Sequence, residues 1–136
     1  TATIITASRE ISADDFFQGL FETALEEDEI ITGIRFPKPK RAAYMKFPNP
    51  ASRYALVGVF VAETDSGVRV AVTGAGQDGV FRVDAMESAL ASSFAPDAVA
   101  SIAVPDDDLN SDIHASAEYR SHLITVMAKR AVAAAG

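Results

Sequence analysis

The stretch that decides the fold is residues 54–73, YALVGVFVAETDSGVRVAVT. Its first half, 54–63, is a nearly continuous apolar run, which is typical of a central strand. Its second half alternates, because Val68, Val70 and Val72 share one parity and the residues between them the other. Such alternation indicates a strand with one buried face. The TDSG sequence between the halves favours a hairpin turn, so two adjacent antiparallel strands are predicted.

Further elements flank this hairpin. A third strand candidate precedes it at residues 42–47. After it, Asp84 and Glu87 have the spacing of a capping box that opens a helix. A second helix is expected from Pro96 to residue 103, and a third from Ser116 to about residue 135. The predicted class is α+β, a three-stranded antiparallel sheet packed against about three helices.

The first 37 residues read as a separate, smaller segment. Residues 1–7 and 9–11 predict short strands, residues 13–20 a short helix, and residues 30–36 another strand, after an acidic turn at 26–29. The following Pro-Lys-Pro-Lys cannot continue a strand ladder, since proline lacks the amide hydrogen. We therefore expect one unit at residues 1–37, a short β/α segment, and another at 38–136.

Composition limits the function classes. The 136 residues include no cysteine, which excludes disulfides and cysteine-ligated metal sites, and the net charge of −7 argues against nucleic-acid binding. No apolar run is long enough to span a bilayer and no signal peptide opens the sequence, so no membrane insertion and a cytoplasmic location are expected. The sequence begins at Thr1 in a β-like run, which suggests a fragment or a processed product.

Motifs for catalysis or metal binding are weak. The sequence GAGQDG at residues 74–79 matches G-x-G-x-x-G, but a β-like VFRV follows it where a nucleotide-binding turn requires a helix. A flexible loop after a strand is the better interpretation. His114 and His122 have no third ligand at useful spacing, and the aspartates at 106–108 have the composition of a solvated loop. No catalytic residue and no metal site are predicted.

Two cations have interpretations from the sequence alone. Arg130 projects into the apolar stripe of the last helix, which predicts a structural ion pair and a loss of stability on its removal. Lys46 lies on the first strand after the boundary, close to prolines, where it can protect an edge strand from pairing with other chains.

Residue order adds a family resemblance. Residues 16–25, FFQGLFETAL, and 29–37, EIITGIRFP, form one matching stretch, and residues 111–120, SDIHASAEYR, form another. YMKF at 44–47 and YALVGV at 54–59 lie between them. Together they resemble the flavoprotein (medium) subunit of the molybdenum hydroxylases, of the carbon monoxide dehydrogenase type. The resemblance runs along essentially the whole chain and implies that residues 38–136 are the family's C-terminal domain and residues 1–37 the last part of its FAD-binding domain.

The resemblance also implies a function. Ile31 and Lys46 match positions that touch the flavin, where a lysine ammonium stabilises the negative charge of the reduced ring. The glycine-rich phosphate-binding loops lie upstream in the family, so FAD is expected in the complete subunit and not on this chain alone, which is expected to be inactive. The implied role is electron transfer from molybdenum and iron–sulfur centres through FAD to an acceptor. The implied partners are a molybdenum-containing large subunit and an iron–sulfur small subunit.

A second interpretation is a stand-alone structural or subunit-interaction module without redox activity. In either case residues 1–36 lack the sheet neighbours that they have in the complete domain. We expect them to be disordered, to fold back on the second unit, or to self-associate with a second copy.

Overall fold

The computed structural model describes residues 1–19 and 22–136, which form two compact units, Thr1–Lys38 and Pro39–Gly136. The division falls within the Pro-Lys-Pro-Lys sequence, one residue beyond the predicted boundary. The end of the predicted helix at Leu20 lies outside the described residues.

The first unit is built on a three-stranded antiparallel sheet of order β2-β1-β5, with a two-stranded ribbon of β3 and β4. Its small core consists of Ile4, Ile11 and Phe16. The elements are β1 (Thr3–Thr6), β2 (Glu10–Ser12), α1 (Ala13–Phe16), β3 (Phe17–Gly19), β4 (Glu22–Thr23) and β5 (Ile31–Arg35).

Two expectations for this unit are corrected. The expected disorder is wrong for the described residues, because they form a paired sheet with a core of its own. The helix has a single turn, although Ser12 caps it as predicted by accepting the Asp15 amide. One turn is enough to bury Phe16, whereas Phe17 is extended and 74% exposed, and its strand pairs with β4.

The second unit is a four-stranded antiparallel sheet of order β6-β7-β8-β9 with helices on one face. Residues Val59 and Val72 lie opposite each other, as do Val61 and Val70, so the valines of both central strands share the face that the helices cover. The elements are β6 (Arg41–Pro48), β7 (Ala55–Thr64), β8 (Gly67–Gly76), β9 (Gly79–Arg82), α2 (Asp84–Ser92), a 3₁₀ turn (Pro96–Val99) and α3 (Ala117–Ala135).

The α+β prediction is confirmed, with one strand more than expected. The additional strand, β9, forms because Gln77 and Asp78 make a tight turn and Gly79 follows with φ of +105°. The predicted second helix is only the 3₁₀ turn, and the following backbone at 102–105 is irregular. Within the described part of the chain, none of the helices has the length and apolar character that crossing a membrane requires.

Candidate functional site

Lys46 lies on the exposed face of β6, opposite the face that the helices cover. Its Nζ donates a hydrogen bond to the carbonyl oxygen of Arg53 at 3.0 Å. Arg53 has φ of +65°, a conformation that a residue with a side chain rarely adopts. The loop before it is fixed by buried Asn49, whose Oδ1 accepts the amides of Ala51 and Ser52. The lysine is thus directed toward this loop, with its ammonium accessible to solvent.

The same exposed face carries a hydrogen bond that crosses the central strand. Tyr44 Oη and Thr73 Oγ1 are 3.0 Å apart, although their strands both pair with β7 and not with each other. The bond passes over Gly58, where an added Cβ would meet both oxygens, at 2.5 Å from Thr73 Oγ1. A glycine at this position is therefore required for the contact.

Ile31 is the first residue of β5 and is 39% exposed. Ile30, Ile34 and Phe36 are also exposed, so this segment presents apolar side chains to solvent. Ile31 belongs to the first compact unit, whereas Lys46 belongs to the second.

The buried cation of α3 is Arg120, and the prediction for Arg130 is wrong. Arg120 is 2% exposed, whereas Arg130 is exposed and forms no ion pair with any other described residue. The predicted apolar stripe was rotated by about one residue. Small residues such as Ala128 and Ala131 belong to the buried face and obscure it in the sequence.

Arg120 joins four parts of the second unit. Its Nη1 donates to the carbonyl oxygens of Leu56 at 2.6 Å and Gly74 at 3.2 Å, and its Nη2 donates to Asp112 at 2.9 Å. Asp112 also accepts the amides of His114 and Ala115. These two amides, with the nearby guanidinium, hold the pKa of Asp112 below its usual value. The arrangement fixes the ends of β7 and β8 to α3 and its preceding loop, which is a structural role.

Glu87 does not close the predicted capping box. Val83 is the N-cap of α2 and makes no side-chain cap bond. Glu87 is instead buried, accepts the Val70 amide at 3.0 Å and pairs with Arg82 through Nε at 2.8 Å. Burial raises the pKa of Glu87, but the bonds from Arg82 and Val70 outweigh it, so the net shift is downward.

The remaining motifs lie in a hairpin and at exposed positions. Residues 74–79 form the end of β8, a hairpin turn and the start of β9, so the expected flexible loop is an ordered hairpin. His114, His122 and the aspartates at 106–108 are exposed. Among the described residues, no group of three or more histidine, aspartate or glutamate side chains is placed to hold a metal ion.

A cavity of about 530 Å³ lies between the β8–β9 hairpin and the segment 102–109. Its lining is mostly apolar and includes Val80, Ile102, Val104 and Leu109. The sequence does not indicate this cavity, because the pattern of residues 74–79 favours a flexible loop over the hairpin that forms one wall.

Comparison with known proteins identifies relatives. No family model matches the chain. It is 35% identical to the nicotine 6-hydroxylase medium subunit of Paenarthrobacter nicotinovorans, over 97% of this chain and 50% of the relative. It is 31% identical to the carbon monoxide dehydrogenase medium chain of Hydrogenophaga pseudoflava, over 93% of this chain and 48% of the relative.

The chain is a homologue of the medium subunits of nicotine 6-hydroxylase and carbon monoxide dehydrogenase. This confirms the resemblance that the sequence indicates. The chain spans about half the length of the medium subunits it matches.

Solved structures agree with this relationship. A structure of the Cu,Mo-containing CO dehydrogenase superimposes with a TM-score of 0.76 at 25% identity, over 98% of this chain and 52% of that chain. Quinoline 2-oxidoreductase from Pseudomonas putida 86 gives a TM-score of 0.76 at 23% identity, over 98% of this chain and 52% of that chain, and shows the shared fold alone.

Proposed function

We propose that the chain forms part of the FAD-containing subunit of a molybdenum hydroxylase. There it supports electron transfer from molybdenum and iron–sulfur centres through FAD to an acceptor. The observation that carries the proposal is the similarity over 97% of the chain to the medium subunit of a nicotine hydroxylase. The proposed partners are the molybdenum-containing large subunit and the iron–sulfur small subunit, and the proposed location is the cytoplasm.

Within this role, residues 1–37 are proposed as the last part of the FAD-binding domain and residues 38–136 as the C-terminal domain. The chain contacts FAD through Ile31 and Lys46, and activity requires the rest of the subunit. Both residues suit a flavin chemically. Ile31 offers an exposed apolar side chain, and Lys46 offers an exposed ammonium that Arg53 holds in place. When bound, FAD accepts electrons and passes them on, and the Lys46 charge stabilises the negative charge that develops on the ring.

The test compares the chain with a form that is extended at its N terminus. The extension is the half of a related medium subunit that carries the glycine-rich phosphate-binding loops. After incubation with FAD and gel filtration, the extended form should retain flavin absorbance and the chain alone should not. Colourless protein from the extended form would refute the flavoprotein proposal. It would favour the alternative, a structural or subunit-interaction module without redox activity.

A charge-removing variant tests Lys46 in the extended form. Lys46→Met should lower the reduction potential of the bound flavin, because the reduced ring loses a nearby positive charge. The matched control is Lys129→Met on an exposed position of α3, which should leave the potential unchanged. Equal reduction potentials for the wild type and both variants would refute a flavin contact by Lys46. The lysine would then only protect the edge strand β6 from pairing with other chains.

Self-association through residues 1–36 is a further part of the proposal. Phe17 and Phe36 are each more than 70% exposed in a small unit, and β5 ends one edge of its sheet. Sedimentation of the chain and of a Phe17→Ser/Phe36→Ser variant tests it. The wild type should form a concentration-dependent dimer that the variant loses, and a wild-type monomer at all concentrations contradicts it.

A further inference from the structure

The cavity beside the β8–β9 hairpin is partly open to solvent, and all four residues of β9 line it; we call this cavity the groove. β9 is the last strand of its sheet, and among the described strands it pairs with β8 alone. In an antiparallel pair the backbone groups of alternate residues turn away from the partner strand, so β9 presents part of its backbone outward. An edge of this kind accepts an additional extended segment.

The opposite wall of the cavity includes residues 102–105, whose irregular backbone is held in place by side chains of α3. Ser121 Oγ donates to the Val104 carbonyl, and Thr125 Oγ1 donates to the Ile102 carbonyl at 2.8 Å. Both bonds anchor this segment to α3. The wall therefore does not depend on an occupant for its position, and the groove is formed in the structure as it stands.

The groove has a mostly apolar lining that also includes several acidic side chains. Ile102, Val104 and Leu109 contribute apolar side chains, and Val80 at the hairpin is 68% exposed. Asp78, Asp84 and Asp108 also line the cavity. The arginine in the lining, Arg82, has its charge engaged by buried Glu87. The charge available to an occupant is therefore negative.

We propose that this groove docks an extended, basic segment of a partner protein. The segment lies beside β9, places an apolar side chain among Ile102, Val104 and Leu109, and directs lysine or arginine side chains to the lining aspartates. Charge complementarity determines the choice of occupant, because an acidic segment would be repelled. The proposal concerns the second unit only and does not depend on flavin binding.

The test uses the full chain, isotope-labelled for NMR, and a short blocked peptide of alternating lysine and valine as the probe. The peptide should shift the amide signals of β9 and of residues 102–105, with binding that weakens as salt is added. A peptide of alternating glutamate and valine is the control and should produce no shifts. The absence of shifts with the lysine peptide, shifts at another surface, or an equal response to both peptides overturns the proposal.

Two neighbouring aspartates provide matched variants. Asp108 lines the cavity, whereas Asp107 is in the same exposed run and does not. Asp108→Asn should weaken peptide binding by about threefold, as expected for one surface charge pair, and Asp107→Asn should change it less. Circular dichroism checks that both variants fold. If the two variants weakened peptide binding equally, the peptide would be attracted by the acidic loop as a whole. That result would refute docking in the groove.

Discussion

Arg120 donates a hydrogen bond to Asp112 at 2.9 Å, and this pair closes the loop before α3 against the helix itself. The arginine is buried, whereas about half of the aspartate side chain is exposed. The same guanidinium holds two backbone carbonyls from β7 and β8. A single side chain therefore joins the sheet, the loop and the helix.

Replacement of Arg120 should destabilise the fold strongly. Arg120→Ala leaves two carbonyls and a carboxylate without their donor, which costs about 3 kcal/mol in the free energy of unfolding. The control is Arg130→Ala on the same helix, which should stay within about 0.5 kcal/mol because Arg130 is exposed. Urea denaturation of both variants measures the difference. A larger loss for Arg130→Ala than for Arg120→Ala would contradict the structure.

The Asp112 carboxylate predicts how stability depends on pH. Its pKa is lowered in the folded state, so its contribution is present above the unfolded value of about 4 and is lost as pH falls through the folded value. Asp112→Asn should be less stable than the wild type at pH 7, and the gap should narrow in acid. Urea denaturation of both proteins from pH 7 into acid measures the difference in the free energy of unfolding. A difference that does not change with pH would exclude a contribution from ionisation of Asp112.

Glu87 and Asp84 separate the two interpretations of the start of α2. Glu87→Ala should cost about 3 kcal/mol, because the Val70 amide and Arg82 lose a buried acceptor. Asp84→Asn should change stability by less than about 0.5 kcal/mol, since no side-chain cap bond exists there. Thermal unfolding of both variants distinguishes them. A larger loss of stability for Asp84→Asn than for Glu87→Ala would instead support the predicted capping box.

Two glycines with positive φ differ in the space around them. A Cβ on Gly74 would collide with the Ala55 carbonyl, whereas a Cβ on Gly67 would meet nothing within 4 Å. Gly67→Ala should therefore cost only the backbone strain, about 1–2 kcal/mol. Gly74→Ala should cost about 3 kcal/mol or more, because the collision adds to the strain and moves a carbonyl that Arg120 holds. Denaturant unfolding measures the loss in the free energy of unfolding for both variants. Equal losses would show that the backbone near Gly74 shifts to accept the added Cβ at no further cost.

The sequence predicted what depends on local pattern. Valine alternation defined the central hairpin, and Ser116 correctly marked the start of α3. The sequence-based prediction failed where a partner distant in the chain determines the position of a side chain. The spacing of Asp84 and Glu87 is that of a cap, and only the presence of Arg82 and the Val70 amide turns Glu87 inward. Arg120 was missed because its acceptors at positions 56 and 74 are far away in the sequence.

The contact over Gly58 links positions that are distant in the chain. Tyr44 and Thr73 meet only because the residue between them has no side chain. Selection therefore cannot act on these three positions one at a time. A homologue with a larger residue at the position of Gly58 should also lack the tyrosine at position 44 or the hydroxyl at position 73. We therefore expect these three positions to covary among homologues.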